Sequence, residues 1–170
     1  MIDGSSVRLR APERSDVPML ASLRDDEGAQ RLLMSRVRGS SEQAAQSWVE
    51  RVRSDAAALL LVIAAKEDDV ALGYVQLGGI DLVSRRAQFG ICIAEAARGR
   101  GIGTEAVALT EQYLARVWNL RKLVLEVLAD NAGAIAVYRR CGFREVGTLR
   151  EHFHYDGRFH DVLVMEHVFA

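Results

Sequence analysis

The sequence predicts a mixed α/β fold: a mainly antiparallel central sheet of about seven strands with helices on both faces, in the order β-α-α-β-β-β-α-β-α-β-β. Three observations carry this. Leu59 to Ala65 is an unbroken apolar run of strand length, as expected for a strand covered on both faces. Ile102, Ala106, Leu109, Tyr113 and Val117 recur at spacings of 4, 3, 4 and 4, which is one face of a helix. Asp156-Gly157 stands between two strand-like runs, a strong signal for a two-residue hairpin.

The other elements follow from local chemistry. Val7 and Leu9 alternate with Arg8 and Arg10, giving a short first strand. Ser15 or Asp16 can cap a helix through Met19, Leu20 and Leu23, with Pro18 tolerated in its first turn. Residues 28 to 39 break the periodicity and read as a solvated loop containing Arg31, Arg36 and Arg38. Ser40-x-x-Gln43 reads as a capping box before a helix with Ala45, Trp48, Val49 and Val52 on its buried face. Lys66 to Asp69 is a polar turn, and Ala71 to Leu77 pairs back across it, interrupted beyond its end by Gly78-Gly79. Arg86 to Ile93 and Lys122 to Leu128 are further strands. Asp130-Asn131 can cap a last helix, which Gly142-Phe143 closes as a left-handed residue followed by its hydrophobic partner. Arg144 to Tyr155 and Phe159 to Phe169 form the final hairpin.

Composition narrows the class. The 170 residues suit one domain, with half the chain apolar and a quarter charged, and no linker, repeat or low-complexity segment divides it. A net charge of −1 argues against a general nucleic-acid or membrane-surface binder. No membrane span or signal peptide is visible, and Cys92 and Cys141 fall in apolar patterns that suit reduced thiols, so a cytoplasmic protein is expected. No cysteine, histidine or acidic cluster has metal-ligand spacing, so no metal is required.

Function is written most densely in Arg98-Gly99-Arg100-Gly101-Ile102-Gly103-Thr104. Glycines at every second position leave backbone with no Cβ to block a ligand, and a helix begins directly behind them. Free N–H groups at the positive end of a helix dipole suit a phosphate, so the loop reads as a diphosphate cradle. An ATP-type loop would need a Gly-Lys-Ser/Thr ending, which is absent. A dinucleotide fingerprint would need glycine where Thr104 stands, although Glu126 lies roughly where a ribose-binding acid would fall.

Arg98-x-x-Gly101-x-Gly103 before an amphipathic helix resembles the acyl-CoA-binding motif of the GNAT superfamily of N-acyltransferases. The likeness continues through Asn131, Ala134-Ile135-x-x-Tyr138 and Gly142-Phe143, which resemble the family's second signature. The C-terminal part, from Asn131 through Tyr155-Asp156-Gly157 to Asp161, resembles the branch that acetylates ribosomal-protein N-termini, polyamines and amino sugars. The resemblance implies a single N-acetyltransferase domain over residues 1–170 that moves the acetyl group of acetyl-CoA directly to a primary amine in a ternary complex. It also implies that the strand before the glycine loop splays from its neighbour at a bulge, so that Ile91, Cys92 and Ile93 pair with pantetheine as an added strand would. Acceptor-binding loops are implied between the first two helices, and a homodimer by analogy with the branch.

Acetyl transfer to an amine needs the thioester held, the ammonium deprotonated and the departing thiolate protonated. Tyr138 is the candidate general acid, since a phenol stays protonated at neutral pH, and it shares a helix face with Ala134 and Cys141. Asn131 is a helix cap and, by the resemblance, a polar contact to CoA. Many family members place a Glu on the strand before the glycine loop, where this chain has Gln88, which accepts no proton at neutral pH. Asp81 is a candidate base acting through water, and His152 and His154 are further candidates. No Gly-x-Ser-x-Gly elbow points to a hydrolase. The alternative to an enzyme is an acyl-CoA-binding sensor or regulatory module without turnover, which Gln88 favours and Tyr138 opposes.

Overall fold

The computed structural model describes residues 1–37 and 39–169. A two-residue strand β1 (Ile2–Asp3) precedes β2 (Val7–Arg10). Three helices follow, α1 (Val17–Asp25), α2 (Glu27–Leu32) and α3 (Glu42–Ser54). Strands β3 (Leu59–Ala65), β4 (Ala71–Asp81) and β5 (Arg86–Ile93) lead to α4 (Ile102–Val117). Then come β6 (Lys122–Leu128), α5 (Ala132–Arg140), β7 (Arg144–Tyr155) and β8 (Arg158–Val168).

All eight strands form one sheet in the order β1-β2-β3-β4-β5-β6-β8-β7. Every neighbouring pair is antiparallel except β5 and β6. Helices cover both faces, as the sequence predicts. Because strand side chains alternate, β3, β4 and β5 supply both layers. On one face Val75, Leu77, Ala87, Phe89, Leu123 and Leu125 pack against Ile102, Ala106 and Leu109 of α4 and Ile135 of α5. On the other, Leu60, Tyr74 and Cys92 meet Leu20 and Leu23 of α1 and Trp48, Val49 and Val52 of α3.

The structure differs from the sequence reading at three places near the N-terminus. The added strand β1 pairs only two residues with β2, too few to leave an alternation. Helix α2 occupies the first part of the stretch, residues 28 to 39, that the sequence predicts as loop. Its six residues are too few for a period to show, but Asp26 caps it, accepting from the Ala29 N–H at 2.8 Å. The N-cap of α3 is Ser41 rather than Ser40, its hydroxyl accepting from the Ala44 N–H. Arg38 lies outside the described residues.

Asp16 occupies the N-cap position of α1, yet its side chain is spent elsewhere. Its carboxylate takes two hydrogen bonds from the Arg10 guanidinium, at 2.7 and 2.9 Å, and one from the Glu13 N–H. Both side chains are buried, at 6% and 3% exposure, and an ion pair removed from water needs this many partners to be tolerated. The pair holds the Arg10 guanidinium more firmly protonated than usual.

At the start of α4, Glu105 reaches back to the β1–β2 turn and accepts from both the N–H and the hydroxyl of Ser5 and of Ser6. Burial opposes its ionisation, but the bonds from Ser6 and Ser5 prevail and bring its pKa down to about 2. A carboxylate with a depressed folded-state pKa stabilises the fold above its unfolded-state value and loses that contribution as pH falls toward the folded one. Thermal unfolding should therefore show a loss of stability between about pH 4.5 and pH 2 that Glu105→Gln lacks. Superimposable pH profiles for the two proteins would contradict this.

Candidate active site

The site begins with an opening in the sheet. β5 and β6 pair in parallel only from Arg86–Lys122 to Gln88–Val124, and beyond that rung they part. β6 stays paired with β8 as far as Leu128–Val162, and β5 with β4 as far as Ile93–Gly73. Residues 89–93 thus keep one ladder and leave the other edge open, as the resemblance implies. The register shift lies on neighbouring β4, between Gly78 and Asp81, opposite the Arg86–Gln88 stretch just before the two strands part.

A groove of about 720 Å³ fills the gap. One wall is the open edge of β5, with Ile91, Cys92 and Ile93, and the other is β6 and α5. Arg98, Gly99, Gly101, Ile102, Gly103 and Thr104 close one end. Gly101 is the N-cap of α4 at φ +79°, a left-handed conformation that a side chain resists, and it provides no side-chain cap. The first N–H groups of α4 therefore have no intrahelical acceptor, and Ile102, Gly103 and Thr104 line the groove. Arg98 donates from Nε to the Ile93 carbonyl at 3.0 Å, tying the loop to the end of β5. Arg100 is exposed and lines a separate hollow beside Ser5, Ser6 and Lys66.

Helix α5 supplies the far wall. Asn131 caps it, its Oδ1 accepting from the Ala134 N–H at 3.2 Å, and both residues line the groove. The helix closes as the sequence predicts. The Phe143 N–H bonds the Tyr138 carbonyl at 3.0 Å, the Gly142 N–H bonds Arg139 at 3.1 Å, and Gly142 sits at φ +91°. This closure seats Phe143 beside Phe89 and Tyr138, and the three rings hold one another with centroids 5.6 to 6.4 Å apart.

Tyr138 is 7% exposed, lines the groove, and meets no hydrogen-bond partner among the described residues. Burial pushes its phenol up to about 12, with the nearby Cys141 and Cys92 thiols adding to the rise. Cys92 shows what the same groove does to a thiol: burial pushes it up to about 11.

Other candidates fall elsewhere. Asp81 does not line the groove. Its carboxylate accepts from the Ser84 and Val83 N–H groups, at 2.8 and 3.0 Å, in the β4–β5 turn. The Ser84 hydroxyl, together with these bonds and Arg86 nearby, holds it below its ordinary value, so it is a poor base in the wrong place. His152 and His154 are exposed on β7, His154 against Phe159. Gln88 does line the groove. Contributors that escaped the sequence reading include Ala29 and Leu32 of α2 with Leu33 just after it, Arg140 at the opposite end of α5 from Asn131, and Glu126 as a groove-lining carboxylate. The six-residue length hid α2. Glu126 was visible, weighed only for a nucleotide ribose.

Helix α2 has its own fastening. Arg31 of α2 bonds Asp130 at 2.8 Å and lies over the Tyr155 ring, while the Tyr155 hydroxyl donates to Glu27 at 2.7 Å. The β7–β8 hairpin is thereby clamped to α2. At its tip Asp156 and Gly157 both take positive φ, as a tight two-residue turn demands.

An anion cradle at a helix start, a strand edge opened for an extended ligand and a buried phenol beside it define a CoA-dependent acyltransferase. Residues 6–144 match the family described as Acetyltransferase (GNAT) domain, and the chain belongs to it. It is 28% identical to a spermidine N(1)-acetyltransferase of Vibrio cholerae over 158 residues, 93% of this chain and 90% of that one. An N-alpha-acetyltransferase of Sulfurisphaera tokodaii is 36% identical over 76 residues, 45% of each chain. Among solved structures, the V. cholerae spermidine N-acetyltransferase in complex with CoA and spermine superposes with a TM-score of 0.90 at 28% identity, covering 97% of this chain and 96% of that one. The protein is an acetyl-CoA-dependent N-acetyltransferase that modifies a primary amine; the alternative of a module without turnover falls away. No helix among the described residues is long and apolar enough to cross a membrane.

Proposed function

We propose that the amine acceptor is a polyamine of the spermidine class. The observation that carries this is whole-chain likeness, in sequence and in fold, to polyamine acetyltransferases. In this reading the diphosphate of acetyl-CoA lies on the N–H groups of residues 101–104, near Arg98, Gly99 and Arg100. Pantetheine pairs along Ile91, Cys92 and Ile93, Asn131 and Ala134 border it, and the acetyl group is carried to Tyr138. Holding both reactants supplies much of the rate, since effective molarities reach on the order of 10⁵ M or more. The amine nitrogen attacks the thioester carbon, the tetrahedral intermediate expels the thiolate, and Tyr138 gives that thiolate its proton. The tyrosinate left behind takes the surplus proton from the new amide nitrogen.

A second reading, a protein N-terminus, is favoured by the local identity to the N-alpha-acetyltransferase. A thiol-release assay with acetyl-CoA against spermidine, spermine and peptides beginning with Ala or Ser separates the two. Release with the polyamines is expected, release with peptides alone moves the assignment, and silence with every amine refutes both.

The chain works in the cytoplasm as a homodimer in this proposal. Its two cysteines are free thiols, and β7 runs along the sheet edge exposed over most of its 12 residues. A monomeric mass by light scattering would remove the dimer.

A further inference from the structure

Acetyl transfer leaves one charged hollow of the molecule unused. It has a volume of about 200 Å³ and is lined by Arg24, Arg36, Ser40, Ser47 and Arg51, none of which lines the groove. We infer that this hollow binds a phosphoryl group, carried on a small ester or free as phosphate. The site goes beyond the amine assignment and does not depend on it.

Three elements converge there. Arg24 lies in the last turn of α1, and its guanidinium is held 4.6 Å over the Trp48 ring. Arg36 and Ser40 lie on the segment between α2 and α3, which the Ser40 N–H fastens to the end of α1 by donating to Asp25 at 3.2 Å. Ser47 and Arg51 stand four apart on α3 and so share one of its faces.

Charge and hydrogen bonding both ask for an anion. The whole chain carries a net charge of −1, yet the described lining of the hollow holds three cations and no carboxylate. Arg36 and Arg51 are exposed and make no ion pair among the described residues. The Ser40 hydroxyl is buried in the lining and meets no hydrogen-bond partner among the described residues. A buried hydroxyl left so is costly, and a ligand oxygen is the partner it lacks.

Size and geometry choose the anion. Pockets for drug-sized ligands run from about 300 to 1,000 Å³, so this hollow takes one small group. A carboxylate offers two oxygens and a single charge. A phosphoryl group offers three oxygens and about 1.5 to 2 charges, which suits guanidinium forks arriving from three elements. Arg24 and Ser40 also bracket α2 in the chain, and Ala29 and Leu32 of α2 line the groove. A bound phosphoryl group would tie both approaches to α2 onto α3.

The test is calorimetric titration of inorganic phosphate into the protein already saturated with CoA, so that the glycine cradle is filled. Saturable binding at one site per chain is expected. Arg36→Glu and Arg51→Glu should each weaken it about tenfold or more, since each replaces a charged donor with a repelling group. Ser40→Ala should weaken it several-fold. Arg53→Glu makes the same charge change on α3 outside the hollow and should alter affinity by no more than about twofold, being screened by salt. The arginines substituted are exposed, so the variants should fold, which thermal midpoints without phosphate check. A second titration with glycerol phosphate separates the sources: tighter binding than phosphate assigns the site to an ester, weaker binding to the free ion. No saturable heat from either compound, or an equal loss in Arg53→Glu and Arg51→Glu, overturns the site. The CoA affinity measured in the first step stands apart from that result, so acetyl transfer is judged separately.

Discussion

Tyr138→Phe should lower kcat by about 10²- to 10⁴-fold while the affinity for acetyl-CoA changes little. The substitution removes one oxygen and keeps the ring, so the packing against Phe89 and Phe143 survives. No hydrogen bond is broken within the described residues, so stability should hold within about 1 kcal/mol. What disappears, on the proposed mechanism, is the proton for the departing thiolate. Burial holds that proton on the phenol up to about pH 12, so it is present across the whole working range. Single-turnover rates, with calorimetry on the same variant for CoA, separate chemistry from binding. A phenylalanine enzyme of normal rate would take Tyr138 out of the mechanism.

Gly101→Glu should weaken CoA binding at least about 100-fold, equivalent to about 2.7 kcal/mol. Two effects add. The residue is held at φ +79°, where an L side chain costs roughly 1 to 2 kcal/mol. The new carboxylate would also stand at the helix start where the diphosphate belongs, opposing charge with charge and removing a site worth about 1.5 to 3 kcal/mol per bond. No neighbour lies within 4 Å of a Cβ built there, so the damage is to the ligand and the local backbone rather than to core packing. Calorimetric titration with CoA checks it, and unchanged affinity would refute the cradle. Gly101→Ala is the control that carries the backbone strain without the charge.

Much of this was legible in the letters because the signals are local. Leu59–Ala65, Arg86–Ile93, Ile102–Val117 and Lys122–Leu128 are read directly from apolar runs and a helical period. The closing of α5 at Gly142 and the turn at Asp156-Gly157 follow from backbone chemistry that few residues satisfy. What escaped is what depends on distant partners. Asp16 reads as a helix cap until Arg10 is seen buried beside it. Asp81 reads as a free acid until the turn N–H groups claim it. Helix α2 is too short to announce itself, and its place in the groove depends on a hairpin more than a hundred residues away. Glu126 reads only as a ribose-binding acid of a dinucleotide site until the parting of β5 from β6 places it in the groove.

The fastening of α2 to the β7–β8 hairpin separates the two halves of the substrate problem. Every group assigned to the acetyl donor lies between Ile91 and Tyr138, whereas the ties at the amine's side run from Glu27 and Arg31 to Asp130 and Tyr155. On the proposed assignment, changes at the hairpin tip, which does not line the groove, should retarget the enzyme to new amines while its hold on the thioester stays constant. One scaffold can in this way diversify its recipients and inherit its donor unchanged.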